Sequence, residues 1–174
     1  MYGFDFNGYW QDIGTIRSFY ETNLALTTPE TPFNFYDAKL PIYTDTRFLP
    51  GSIVEDSNLK NVLIAEGCRI LKSEIDHSII GIRSQISAGC MIKDSIMMGS
   101  DYYEPDRAGL PIGIGANCYI EGAILDKNVR IGNNVTMRPF PRNKDIDNEK
   151  WYVRDGIVVI PKDAEIISGT TIAP

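Results

Sequence analysis

The sequence predicts a mainly β chain, a left-handed parallel β-helix over residues 51–174 with an N-terminal strand–helix arm over residues 1–50. Three observations predict it. Aliphatic residues recur every six positions: Ile80, Ile86, Ile92 and Met98, then Ile114 and Ile120, Ile131 and Met137, and Ile160, Ile166 and Ile172, with Ile64 and Ile70 opening an earlier run. Small or thin side chains follow four residues later at Cys68, Ser84, Cys90, Cys118 and Val135. Glycine follows directly in Ile80-Gly81, Ile114-Gly115 and Ile131-Gly132. A helix returns at three, four and seven, and a hairpin asks for a strand–Asn-Gly–strand turn, so neither accounts for a period of six. A short strand and a corner do: three such units close a triangular coil that bonds only to its neighbours.

The arm comes first in the chain. Gly8–Gly14 reads as a short aromatic strand entering a turn, and Thr15 as the N-cap of a helix over Ile16–Leu26. Ile16, Phe19, Tyr20, Asn23 and Leu24 share one face of that helix. Thr27–Pro32 is a stiff linker, and Phe33–Pro50 is aromatic and extended. One helix cannot bury this much apolar surface alone. It needs the coil or a second body, the plainer alternative being a cap on the end of the solenoid.

Within the coil the register slips between Ile70 and Ile80, where Ile75 and Ile79 are alternative inward residues, and again between Ile120 and Ile131. Ser100–Pro111 and Arg138–Arg154 abandon the period and are expected to leave the coil as surface loops.

Hydrophobic residues are 43% of the chain and charged ones 23%, a globular composition. A net charge of −6 excludes a broad footprint for nucleic acid or an anionic membrane. The longest apolar runs, such as Ile157–Ile160, are too short to span a bilayer, and no signal peptide is visible at the start. Cys68, Cys90 and Cys118 form neither a zinc spacing nor a disulfide framework, so they read as buried filler in a reducing cytoplasm.

Gly8-Tyr9-Trp10-Gln11-Asp12-Ile13-Gly14-Thr15 resembles the G-Y-W-x-D-[IV]-G-T motif that ends the catalytic domain of the ADP-glucose pyrophosphorylases. Phe35-Tyr36-Asp37, Pro41-Ile42-Tyr43-Thr44, Gly81-Ile82-Arg83-Ser84, Ser100-Asp101-Tyr102-Tyr103, Pro111-Ile112-Gly113-Ile114-Gly115, Asp126-Lys127-Asn128 and Gly156-Ile157-Val158 match the family in its order. The resemblance implies an enzyme that joins glucose 1-phosphate to ATP, releasing pyrophosphate, for glycogen or starch synthesis. It places the catalytic α/β domain before the residues seen here, since no glycine-rich phosphate loop followed by Arg occurs in the chain. Residues 1–50 would then be the end of that domain, and 51–174 a regulatory and oligomerisation domain of a homotetramer, inactive alone. On this reading the chain is truncated and Met1 is an added start.

The resemblance also implies site residues. Asp12 matches a carboxylate that holds Mg²⁺ together with a partner outside the chain. Arg47, Lys127 and Lys162 match cations that line an effector site for a phosphorylated metabolite, inorganic phosphate or AMP. Asp45 stands where relatives carry Gln or a basic residue, and an acid there repels phosphate. The lone histidine, His77, falls in a slip of the register and reads as a structural or surface residue. It would be the base only in a rival reading, a hexapeptide acyltransferase, the other alternative being a purely structural β-helix without a ligand site.

Overall fold

The computed structural model describes residues 3–105 and 108–174. Parallel strands wind into a triangular coil. One face is a six-stranded sheet: β1 (Ile53–Glu55), β3 (Arg69–Leu71), β5 (Gln85–Ile86), β8 (Gly113–Ile114), β11 (Arg130–Ile131) and β16 (Glu165–Ile166). The other two faces run together as one 11-stranded sheet because β2 (Asn58–Ile64) and β4 (Glu74–Ile80) each turn a corner without breaking. They turn at Asn61 (φ 52°) and His77 (φ 44°), both in the left-handed region. Past β4 the faces separate. The second holds β6 (Met91–Lys93), β9 (Tyr119–Glu121), β12 (Thr136–Met137) and β17 (Thr171–Ile172). The third holds β7 (Ile96–Met97), β10 (Ala123–Leu125) and β15 (Ile157–Ile160).

The register explains the slips in the repeat. Inward residues stack as Ile70 on Ile86 on Ile114, Ile75 on Ile92 on Ile120, and Ile80 on Met97 on Leu125. The step from second face to third is therefore five residues, not six, so coils with no loop or hairpin between them are offset by 16 or 17 residues. Ile75 is the inward residue of the first slip, whereas Ile79 faces outward. The same short step corrects the strict six-residue count at its end: Met97 is the core residue and Met98 faces out. Ile70, Ile80, Ile120, Met137 and Ile160 are fully buried, each contributing about 1.5–3 kcal/mol by burial.

Corners carry the small residues. Ser57, Ser73 and Cys90 form one ladder, in which Ser57 Oγ accepts the Ser73 N–H at 3.1 Å and Ser73 Oγ accepts the Cys90 N–H at 3.3 Å. The three thiols donate to carbonyls of the next coil, at Gly81, Gly115 and Gly132, each at 3.1 Å. All three are free and buried, the filler role read from sequence. Glycine at 115 and 132 is set by close approach: a Cβ on Gly115 would lie 2.7 Å from the backbone of Gly132, and one on Gly132 2.5 Å from that of Ser168.

The two pattern-free segments differ. Residues 98–105 and 108–112 leave the coil as parts of a loop. Residues 138–156 instead form an antiparallel hairpin, β13 (Ile146–Asp147) and β14 (Tyr152–Arg154), that widens the third face beside β15. Its Val153 is buried, and Ile146 and Trp151 pack on the main core, which is why a polar run departs from the period yet stays ordered.

In the arm, α1 (Ile16–Ala25) starts at Thr15, whose side chain accepts the Ser18 N–H in a capping box. Tyr20 and Leu24 pack on Ile96, Ile124 and Ile157, the outward side of the third face. The helix thus lies along the flank of the coil rather than across its end. Residues 8–14 make no ladder, because a strand needs a neighbour and none of the described residues supplies one. No helix among the described residues is long and apolar enough to cross a membrane.

Candidate functional site

The corner between the third face and the first is a column of left-handed residues: Gly67 (φ 73°), Arg83 (φ 57°), Asn128 (φ 60°) and Asp163 (φ 61°). Lys127 and Lys162 immediately precede the last two. Their coils are adjacent, with the Asp163 N–H donating to the Lys127 carbonyl at 3.0 Å. Strand spacing of roughly 4.8 Å therefore sets the lysines side by side on one edge.

The 98–112 loop departs at this corner and brings Asp101 between them. Lys127 Nζ lies 2.8 Å from Asp101 Oδ1, and Lys162 Nζ lies 2.8 Å from Oδ2. Asn128, almost fully buried, fixes the geometry. Its Oδ1 accepts the Asp101 backbone N–H at 2.8 Å, while its Nδ2 donates to Asp101 Oδ2 at 3.1 Å and Asp163 Oδ1 at 3.0 Å. Lys127, then Lys162, hold the Asp101 carboxyl well below the usual carboxylate range, and Asp101 in turn raises Lys162. Two ammonium groups converging on the two oxygens of one anion is the arrangement an oxyanion ligand requires.

The rest of the loop is clamped separately. Glu104 makes a bidentate pair with buried Arg130, Oε2 to Nη1 at 2.7 Å and Oε1 to Nη2 at 2.5 Å, and this raises the arginine further. Tyr103 donates its hydroxyl to the Gly67 carbonyl at 2.9 Å. Beneath the loop lies a cavity of about 420 Å³ lined in part by Arg83, Gln85, Ser87 and Tyr103.

Arg47 is not brought to this pair. It is exposed in the segment leading to Pro50, whose carbonyl accepts the Gly67 N–H, and it makes no ion pair among the described residues. Gly67 sits three coils from Lys127 along the column, roughly 14 Å at one strand spacing per coil. Asp12 is exposed and accepts the Gly14 N–H at 3.0 Å. A single turn carboxylate fits one position of an octahedral Mg²⁺, and no group of three or more His, Cys, Asp or Glu among the described residues is placed to hold a metal. His77 lies at a coil corner beside α1 with Nδ1 2.6 Å from Asp94 Oδ1, in a groove it shares with Tyr20, Leu24 and Glu121. Asp101 escaped the sequence reading as a site residue. It was visible only as a letter of Ser100-Asp101-Tyr102-Tyr103, and nothing in a pattern-free loop says where its carboxylate lands.

Comparison with known proteins agrees with this architecture. The family model described as the GLGC left-handed parallel beta-helix domain matches residues 47–171. A curated relative, the chloroplastic/amyloplastic glucose-1-phosphate adenylyltransferase small subunit of Triticum aestivum, is 44% identical over 178 residues. That alignment covers 96% of this chain but 38% of the relative's length.

Proposed function

This chain belongs to the family of GLGC left-handed parallel β-helix domains, and from that premise we propose that it is the C-terminal regulatory and assembly part of a glucose-1-phosphate adenylyltransferase. The whole enzyme would convert ATP and glucose 1-phosphate to ADP-glucose and pyrophosphate, with the chemistry in a catalytic domain outside this chain. The relative's alignment supports this, since the chain spans well under half of that protein. Asp12 would lend one hard oxygen to a Mg²⁺ that neutralises the transferring phosphates, its other ligands coming from the catalytic domain. The free thiols fit a reducing compartment, and the cytoplasm is the one proposed. The apolar surface of the arm fits a subunit of a homo-oligomer, proposed as a tetramer.

The effector reading rests on one observation: Lys127 and Lys162 converge, each at 2.8 Å, on a single carboxylate. A phosphorylated metabolite, inorganic phosphate or AMP placed there would touch both lysines, and binding would bias how the coil sits against the catalytic domain. Arg47 would join only if the partner domain or a second copy draws its segment over the edge. The test is a thermal-shift titration with fructose 1,6-bisphosphate, 3-phosphoglycerate, phosphate and AMP, on the unaltered chain and on Lys127→Ala and Lys162→Ala. Stabilisation by one anion, lost in both variants, is expected. A shift that survives both substitutions would remove the site from these lysines.

A further inference from the structure

The two-lysine clamp already holds an anion, and the chain itself supplies it. Asp101 gives one carboxylate oxygen to each ammonium, at 2.8 Å, in the position where a ligand's oxygens would sit. The electrostatics of the corner follow from this. Asp126 and Asp163 lie close by, both raising Lys162 through space, so three carboxylates gather at the corner of the two lysines. Arg83 of the same corner donates to the Ser100 carbonyl at 3.2 Å, so with Asp101 in place three cations meet three carboxylates and no net positive charge draws an incoming anion. With Asp101 withdrawn one positive charge is left over and the lysines are free to donate.

We propose that Asp101 is a built-in competing anion that sets which ligands the Lys127–Lys162 site accepts, and that an effector phosphate binds by displacing it. The inference rests on the anion-site reading and adds its gate. Only an anion that offers more than a carboxylate can make the exchange. A phosphate dianion carries more charge and a third acceptor oxygen, whereas a monocarboxylate or chloride merely replaces like with less. The gate is hinged close to the site. Asp101 is held by its own backbone N–H on Asn128 Oδ1 and by Asn128 Nδ2. Three residues on, Glu104 is fixed to Arg130 through two short hydrogen bonds. Displacement therefore swings the start of the loop and leaves its far part clamped. Effector occupancy is thereby written into the backbone from Gly99 to Tyr103, and the Tyr103 hydroxyl reaches Gly67, two coils back from Gly99.

Asp101→Asn tests this with inorganic phosphate as the probe, followed by calorimetric titration of the chain at fixed ionic strength. Asn keeps the side-chain shape and an oxygen for one lysine but removes the competing charge. Phosphate affinity should rise on the order of tenfold, and adding Lys127→Ala to the variant should abolish the gain. In the unaltered chain, phosphate should speed hydrogen exchange at the Asp101 amide, which loses its Asn128 acceptor, and leave Glu104 unchanged. This second readout holds even if the variant folds poorly. Phosphate binding that needs Lys127 but is no tighter in Asp101→Asn, with exchange at Asp101 unmoved, would overturn the gate and leave the anion site standing. Phosphate binding to neither protein would overturn both.

Discussion

The arm and the coil are made of equally apolar sequence and bury it to opposite extents. Phe4, Trp10, Tyr36, Tyr43 and Phe48 stand 76–92% exposed, while Ile70, Ile80, Ile120 and Ile160 in the coil are at 0%. The difference lies in who supplies the partner. Each inward coil residue meets another inward aliphatic one turn away, so the repeat completes its own core from neighbouring coils. The arm has no repeat and meets the coil only along one helical face. Its remaining aromatic surface meets no counterpart among the described residues. Substitutions at comparable apolar residues should therefore cost very different amounts. Ile120→Ala opens a void in a stack that touches Ile92 and Met137, and should lower unfolding free energy by about 2–5 kcal/mol in urea. Trp10→Ala should stay within about 0.5 kcal/mol. Equal losses would mean that the arm carries a core of its own.

A smaller effect is expected where the coil holds its own excursion. Glu104→Gln leaves Arg130, only 7% exposed, facing a neutral amide, and should cost roughly 2–4 kcal/mol, with faster exchange across residues 98–112. Smaller still is the tie between the two regions. Leu24→Ala should weaken docking of α1 by about 2 kcal/mol. Limited proteolysis between Thr27 and Pro32 should report it, while the melting of the coil is unchanged. A coil that melts earlier in Leu24→Ala would show that the helix is part of the solenoid's own stability.

What could be read from the sequence follows the same division. The inward column was legible because one inward residue type at a fixed interval is a local signal, and so were the small corner residues at Cys68, Ser84, Cys90, Cys118 and Val135. Met97 was hidden behind Met98 because the five-residue face is shorter by one, and a period-six count cannot see a side that obeys a different length. His77 holds a left-handed corner (φ 44°), which gives the expected structural role a backbone form that its side chain does not announce. The hairpin over 146–154 was legible only as a departure from the period. Lys127 and Lys162 were singled out through motif resemblance, and coil geometry sets them side by side on Asp101. Arg47 lies in a stretch that departs from the pattern at Asp45, and it makes no ion pair among the described residues, because a motif says nothing about a distance along the coil axis. Asp101 needed coordinates, since a loop carboxylate can be placed only by its partners.

The finest comparison is between the two ionic ties, one within the coil and one from the coil to the arm, and pH separates them. Asp101 is depressed by Lys127 and Lys162, so its contribution is whole above the unfolded carboxylate value of about 4 and fades as acid is added towards its folded value. Lys162 is raised by Asp101, so its contribution is whole below about 10.4 and fades as base is added through its folded value. The arm's tie pairs Arg17 Nε with Asp155 Oδ2 at 2.7 Å. Asp155 is depressed, first by the Asn143 backbone N–H and then by Arg17, so this tie also weakens in acid. It has no alkaline limb, because a guanidinium keeps its charge. Both pairs are solvent-screened, so the effects are small, on the order of 2 °C or less in Tm. The Tm difference between the unaltered chain and Asp101→Asn should be flat from about pH 5 to 9 and shrink on both sides. The difference for Arg17→Met should shrink only in acid. If the Asp101→Asn difference does not begin to shrink as the pH falls below about 4, the lysines hold that loop by packing rather than by charge.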